Sequence, residues 1–88
     1  MAMRSWKVMI SLEMKDLKDS WDNVVSSTMT DQESLEEFDT GYGGTNGCSF
    51  TVWTKDRVYF PVCYDGAEWV GSVSRNPNSI ATDHQGGG

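Results

Sequence analysis

Two segments with the alternating apolar pattern of β-strands, residues 57–64 and 67–74, are separated only by Asp65-Gly66. An Asp-Gly pair between two such segments is among the strongest sequence signals for a two-residue β-hairpin. A turn of that length fixes the register and therefore which residues face each other: Val62 and Trp69, Phe60 and Gly71, Val58 and Val73. We expect these residues, together with Tyr64, to form the apolar face that the rest of the chain covers.

A third strand, residues 48–54, precedes this hairpin and completes a predicted β-meander. A tight two-residue turn would place Phe50 opposite Pro61 in a hydrogen-bonded pair, and proline has no amide hydrogen to donate there. One additional residue, in the turn or as a β-bulge, moves Phe50 opposite Val62 and onto the apolar face. We therefore predict an irregularity between Thr54 and Pro61.

The N-terminal part of the chain shows two overlapping patterns. Residues 5–12 alternate as a strand does, but a helical 4-3-4-3 spacing of apolar residues also runs from Ile10 to Val24. We predict a strand over 5–12 and a helix over 14–26. From the sequence alone, the choice between strand and helix for residues 5–12 stays open.

A second helix is predicted over 31–38, because Thr30-Asp31-Gln32-Glu33 matches the capping box. Leu35 and Phe38, three residues apart, form its expected buried side. The glycine-rich segment 41–47 then ends the helix as a loop.

Together these elements predict an α+β fold, in which two helices pack a small four-stranded antiparallel sheet made of the N-terminal strand and the C-terminal β-meander. Residues 1–75 form this single domain. Residues 76–88 lack apolar periodicity and end in three glycines, so we expect a flexible C-terminal tail in which only Ile80 could dock. No apolar run approaches the ~20 residues of a membrane span, and charge at Glu13 comes too early for a signal peptide. We expect a cytoplasmic protein.

The net charge of −6 is concentrated in one segment. Residues 13–39 carry nine acidic and two basic side chains. Such a segment repels nucleic acid, whose binding depends on lysine and arginine, and it is also repelled by an anionic membrane. A basic protein surface is the partner that it would attract. A charged run of this kind is also typical of a helix face that is merely solvated.

No set of residues identifies a reaction. Cys48 and Cys63 are too few to hold zinc, and His84 lies in the predicted tail. In the preferred register the two cysteines lie on opposite faces as free thiols, and Cys63 faces Glu68, which opposes thiolate formation. The glycine-rich loop lacks G-x-G-x-x-G and follows a helix, so it does not resemble a phosphate-binding loop. We expect no catalytic residues, no metal and no cofactor.

Two functions from different classes fit these observations. The first is a small acidic non-enzymatic binding protein, which inhibits a basic, nucleic-acid-handling protein by standing in for phosphates. Small size, strong acidity and the lack of a catalytic set are also typical of small phage-encoded proteins that act against host enzymes or defence systems, although no motif places the chain in a named family. The predicted partner-binding residues are Asp16, Asp19, Asp22, Asp31, Glu33, Glu36, Glu37 and Asp39, with Tyr42 and Trp53 as lesser contacts.

The second function is a structural or accessory module that docks or dimerises through the apolar sheet face or an edge strand. The N-terminal strand and the 67–74 strand are the two candidate edges. Homo-oligomers are therefore open under this hypothesis. The two functions differ in their expected response to salt, which weakens association through an acidic surface but not apolar docking.

Overall fold

The computed structural model describes residues 3–39, 46–64, 67–82 and 84. Within them lie two α-helices, a 3-10 helix at Trp21–Asn23 and six strands. In chain order the helices and strands are β1 (Met3–Ser5), α1 (Trp6–Leu17), β2 (Val24–Ser27), α2 (Asp31–Leu35), β3 (Glu37–Asp39), β4 (Val52–Thr54), β5 (Arg57–Tyr64) and β6 (Ala67–Ser74). Strands β1 and β3 form a two-stranded antiparallel sheet, and a second antiparallel sheet has the order β2-β4-β5-β6. The expected α+β class is confirmed.

The β5–β6 hairpin has the predicted register. Its eight pairs run without a break from Arg57 opposite Ser74 to Tyr64 opposite Ala67, and Cys63 faces Glu68 as expected. Asp65 and Gly66, on which the prediction rested, lie outside the described residues. The register of the hairpin is therefore the part of the fold that local sequence signals determine best.

The prediction of a strand over 5–12 and a helix over 14–26 is wrong. Helix α1 begins directly after Ser5, whose hydroxyl accepts a hydrogen bond from the Val8 amide at 3.2 Å and so caps the first turn. It ends at Lys18, which adopts a left-handed conformation with φ of 58°. The chain then forms β2, so the fourth strand of the large sheet is 24–27 and not the N-terminal segment.

The predicted capping box at the start of α2 is confirmed. Thr30 accepts from the Glu33 amide at 3.1 Å, and the Glu33 carboxylate accepts from the Thr30 amide at 2.9 Å. The helix is shorter than the predicted 31–38, because β3 pairs with β1 and this pairing requires extended backbone from Glu37 onward. Leu35 is consequently exposed, and the buried residue of α2 is Ser34.

The covered face of the large sheet is opposite to the predicted one. Helix α1 packs against β6, and the core cluster includes Tyr59 and Val70. On the other face Val58 and Phe60 are only partly buried, although Val62 is buried at 8% exposure. The full core cluster comprises Trp6, Met9, Ile10, Met14, Phe50, Val52, Tyr59 and Val70.

The β4–β5 register explains this reversal. Val52 pairs with Tyr59 and Trp53 with Val58, which is the tight-turn register without an additional residue. The difficulty posed by Pro61 does not arise, because the β4–β5 pairing stops at Tyr59 and never reaches it. The predicted irregularity between Thr54 and Pro61 is therefore wrong, and the register shift lies instead in β2, between Val24 and Ser26.

After β6 the described residues 75–82 form neither helix nor strand. The Arg75 amide donates to the Asp56 carbonyl at 2.8 Å and its guanidinium donates to the Thr54 carbonyl at 2.8 Å. Ile80 is among the most exposed apolar residues, so it does not dock into the core. No helix in the described ranges is long and apolar enough to span a membrane.

Candidate functional site

Helix α2 and strand β3 bring three glutamates to one cavity. Glu33, Glu36 and Glu37 line a cavity of about 260 Å³, which we call the acidic cavity. Its remaining lining residues are Trp6, Phe38, Asn46, Gly47 and Cys48. None of these described lining residues is basic, so the cavity carries concentrated negative charge.

Local structure positions each of the three carboxylates. Glu33 is held by the capping box, and the Glu36 amide donates to the Glu33 carbonyl at 3.3 Å where the helix ends. Glu37 opens β3 and pairs with Ser5 immediately before α1. The side chains of Glu36 and Glu37 make no hydrogen bond or ion pair with the described parts of the chain. Both carboxylates are therefore available to a ligand.

Aromatic rings form the floor of the acidic cavity. Trp6 is fully buried, and its indole Nε1 donates to the Cys48 carbonyl at 3.0 Å. The centroid of its ring lies 4.9 Å from that of Phe38 and 4.7 Å from that of Phe50. Phe38 is only partly buried, so it is the more accessible of the two rings that line the cavity.

The segment at Asn46 and Gly47 closes one wall. Both amides donate to the buried Glu68 carboxylate, at 2.9 Å and 3.1 Å. A Cβ atom at Gly47 would lie 2.5 Å from Phe38 Cζ and 2.7 Å from Trp6 Cζ2. Only glycine fits at this position, because any side chain would collide with the aromatic floor.

This arrangement has the chemistry of a receptor for a cationic side chain. Carboxylates accept strong charge-assisted hydrogen bonds from guanidinium or ammonium groups. An aromatic ring in the same cavity offers cation–π attraction and an apolar surface for the methylene groups of arginine or lysine. Within the described residues, no group of three or more His, Cys, Asp or Glu side chains could hold a metal ion.

Asp19, one of the predicted partner-binding residues, is used inside the protein. Its carboxylate accepts hydrogen bonds from Tyr59 Oη at 2.7 Å and Thr54 Oγ1 at 2.8 Å, and further ones from Asn23 Nδ2 at 3.0 Å and the Ser20 amide at 2.9 Å. Burial raises the pKa of Asp19, but these hydrogen bonds outweigh it and leave the pKa below its usual value.

The same contact changes the ionisation of Tyr59. Burial, followed by the hydrogen bond to Asp19 and its negative charge, raises the pKa of Tyr59 well above its usual value. Tyr59 is not among the residues of the predicted apolar face, yet it is buried and its hydroxyl binds the turn after α1 to the sheet. Asp19 accordingly has a structural role.

The remaining predicted contacts do not form one surface. Asp16 and Asp22 are exposed, and Asp16 lies ten residues along α1 from Trp6, about 15 Å away. Asp31 lines a different cavity, beside Lys7 and Trp21. Asp39 pairs with Met3 in the small sheet. Trp53 pairs with Val58, on the face of the large sheet opposite to Tyr59, and is partly buried. Tyr42 is outside the described residues.

Sequence reasoning found the three glutamates but missed the aromatic floor. The available signal was Phe38 placed directly between Glu37 and Asp39, an aromatic residue within a run of acids. Trp6 could not be linked to it from sequence, because the two residues meet only through the pairing of β1 with β3. Cys48 and Cys63 are free thiols, as predicted, and both are exposed. The shifted register on which that prediction was based is not the one observed.

Comparison with known proteins gives no relative: no protein-family model matches the chain, no curated protein matches its sequence, and no solved structure matches its fold.

Proposed function

We propose that this is a small acidic, non-enzymatic binding protein that engages a basic surface of another protein through the acidic cavity. The observation that carries the proposal is that Glu33, Glu36 and Glu37 line one cavity together with Phe38, and that none of its described lining residues is basic. An arginine or lysine of the partner enters the cavity, its charge at the carboxylates and its methylene groups on the ring.

Charge determines the class of partner. With a net charge of −6, the protein repels nucleic acid and accelerates encounter with positively charged proteins. Proteins that handle nucleic acid present grooves of lysine and arginine to phosphates. Carboxylates that occupy such a groove exclude the nucleic acid, so the proposed consequence of binding is inhibition of the partner.

Two charge-reversal variants test the proposal. Glu36→Lys/Glu37→Lys inverts the acidic cavity, whereas Asp16→Lys/Asp22→Lys makes the same change of net charge at exposed acids elsewhere. Asp19 is left unchanged because its carboxylate has internal partners.

Each variant is immobilised beside the wild type, and bound proteins are eluted from a bacterial lysate with a salt gradient and identified by mass spectrometry. We expect a stoichiometric basic partner that moderate salt releases, that Glu36→Lys/Glu37→Lys loses and that the control variant keeps. Equal loss in both variants would show that only net charge matters, and retention by both would exclude the acidic cavity.

A further inference from the structure

A second cavity is lined by helix α1, strands β5 and β6 and the segment that follows β6. Its volume is about 360 Å³, and we call it the Arg57 cavity after the basic residue that lines it. Helix α1 contributes Glu13 and Leu17, and the segment after β6 contributes Ile80 and Ala81. Ligand sites in proteins generally have volumes of roughly 300–1,000 Å³. The Arg57 cavity is therefore large enough for a small molecule.

Two hydrogen bonds orient Arg57 and leave part of its guanidinium group open. Its Nε and Nη2 donate to Ser72 Oγ, at 3.2 Å and 2.9 Å, and Ser72 is a buried residue of the neighbouring strand. The Arg57 side chain makes no other hydrogen bond and no ion pair with the described residues. Within that part of the chain no buried side-chain nitrogen lacks a partner, so Nη1 is accessible to solvent. Nη1 and the second hydrogen of Nη2 form the pair of donors that a carboxylate binds through two parallel hydrogen bonds.

Glu13 lines the same cavity but does not pair with Arg57. Its carboxylate makes no hydrogen bond or ion pair with any residue in the described ranges. The residue is partly buried, and its carboxylate oxygens are accessible for the same reason as Nη1. A protein with 13 acidic and 7 basic side chains thus has an arginine and a glutamate in one cavity without an ion pair between them. A ligand that carries one negative and one positive charge can bind both.

Aliphatic side chains contribute to the lining beside these charges. Leu17 is partly buried and packs against the core cluster, whereas Ile80 is 77% exposed. An aliphatic group of a ligand would remove part of this surface from water, which favours binding. The Arg57 cavity therefore combines an anion-binding group, a cation-binding group and apolar surface.

We propose that the Arg57 cavity binds a free α-amino acid with an aliphatic side chain. The carboxylate of the amino acid accepts from the Arg57 guanidinium group, and its ammonium group donates to the Glu13 carboxylate. Its side chain contacts Leu17 and Ile80. This proposal uses none of the residues of the acidic cavity and does not depend on the proposed function.

The two charges select this class of ligand. A simple anion is attracted by Arg57 but repelled by Glu13, and the reverse holds for a simple cation. A residue inside a peptide has neither a free ammonium group nor a free carboxylate. The free amino acid is the ligand that satisfies both charged side chains together.

NMR titration of the full, isotope-labelled chain with L-leucine tests the proposal. Two analogues separate the charges, because isocaproate lacks the ammonium group and L-leucinamide lacks the carboxylate. We expect saturable binding of L-leucine with shifts at the Arg57 side-chain N–H and the Ser72 amide, and a Kd at least about tenfold higher for each analogue. Absence of saturable shifts with L-leucine, equal binding of either analogue, or shifts centred on the acidic cavity would overturn the proposal.

Four variants assign the charges to residues. Glu13→Gln and Arg57→Gln each remove one charge from the cavity, and Asp16→Asn and Lys55→Gln make the same changes of net charge at exposed positions outside it. Each cavity variant should raise the Kd for L-leucine at least about tenfold, whereas the two controls should keep the wild-type affinity. Equal losses in the cavity variants and their controls would show that only net charge matters and would refute the site.

Circular dichroism checks that each variant is folded. If Arg57→Gln is not, Arg57→Lys replaces it, since lysine keeps the charge but not the pair of parallel donors. Glu13→Gln tests the other half of the site without altering the hydrogen bonds between Arg57 and Ser72. Wild-type affinity for L-leucine in a folded Glu13→Gln variant would contradict the assigned ammonium contact.

Discussion

The contact between Asp19 and Tyr59 holds the turn after α1 against the sheet, and a double-mutant cycle measures its strength. Tyr59→Phe keeps the buried ring but removes the donor of the 2.7 Å hydrogen bond. A hydrogen bond to a charged group contributes about 1.5–3 kcal/mol, so we expect a loss of stability in that range. Asp19→Ala removes the acceptor for all four donors and leaves the Tyr59 hydroxyl unpaired, and we expect a loss of about 3–4 kcal/mol.

The two losses should not add. In the Asp19→Ala background the tyrosine hydroxyl no longer has its acceptor, so removing it costs little, and we expect a coupling of about 1.5–2.5 kcal/mol. Urea unfolding followed by tryptophan fluorescence gives each free energy of unfolding. Asp16→Ala, at an exposed position near the end of α1, should change stability by less than about 0.5 kcal/mol. Additivity of the two single losses within about 0.5 kcal/mol would refute the assigned contact.

Three further predictions concern acid stability, the cavity wall and the cap of α2. The folded-state pKa of Asp19 is lowered. Its contribution to stability is therefore complete above its unfolded pKa of about 3.9 and is lost as the pH falls through the folded value. The melting temperature of Asp19→Asn should consequently depend less on pH in this acidic range than that of the wild type. Gly47→Ala should destabilise by about 1–3 kcal/mol because its Cβ meets Phe38 and Trp6, and an unchanged melting temperature would contradict the geometry of the cavity wall. Thr30→Ala should lower the free energy of unfolding by about 1 kcal/mol, because the hydrogen bond from the Glu33 amide is lost. An unchanged free energy in urea unfolding would contradict the assigned cap.

The features that sequence predicted correctly are local ones. The β5–β6 register depends on two strand patterns and the turn between them, and the α2 cap depends on four consecutive residues. The covered face of the sheet is different, because apolar or aromatic residues occur on both faces of β5. What distinguishes the faces is Tyr59, whose hydroxyl reaches a carboxylate 40 residues away in sequence. No pattern within a strand can show a contact of that kind.

The N-terminal error has a similar physical origin. Residues 5–12 satisfy both the strand and the helix period, and the choice is made by Ser5 as a cap and by burial of Trp6, Met9 and Ile10 on one helical side. The position of α1 then determines the acidic cavity, because β1 immediately before it pairs with β3. The three glutamates could be predicted as acids on a helix end, whereas their aromatic floor depends on this non-local pairing.

The central claim is that the acidic cavity receives a basic side chain, and NMR titration with an arginine-rich peptide tests it most directly. A peptide of the same length with citrulline in place of arginine is the control, since citrulline keeps the shape of the side chain but not its charge. We predict shifts at the Trp6 indole N–H and at the amides of Glu36, Glu37 and Phe38, which disappear with the citrulline peptide and in Glu36→Lys/Glu37→Lys. Shifts centred on Asp16 and Asp22 instead, or no difference between the two peptides, would contradict the account.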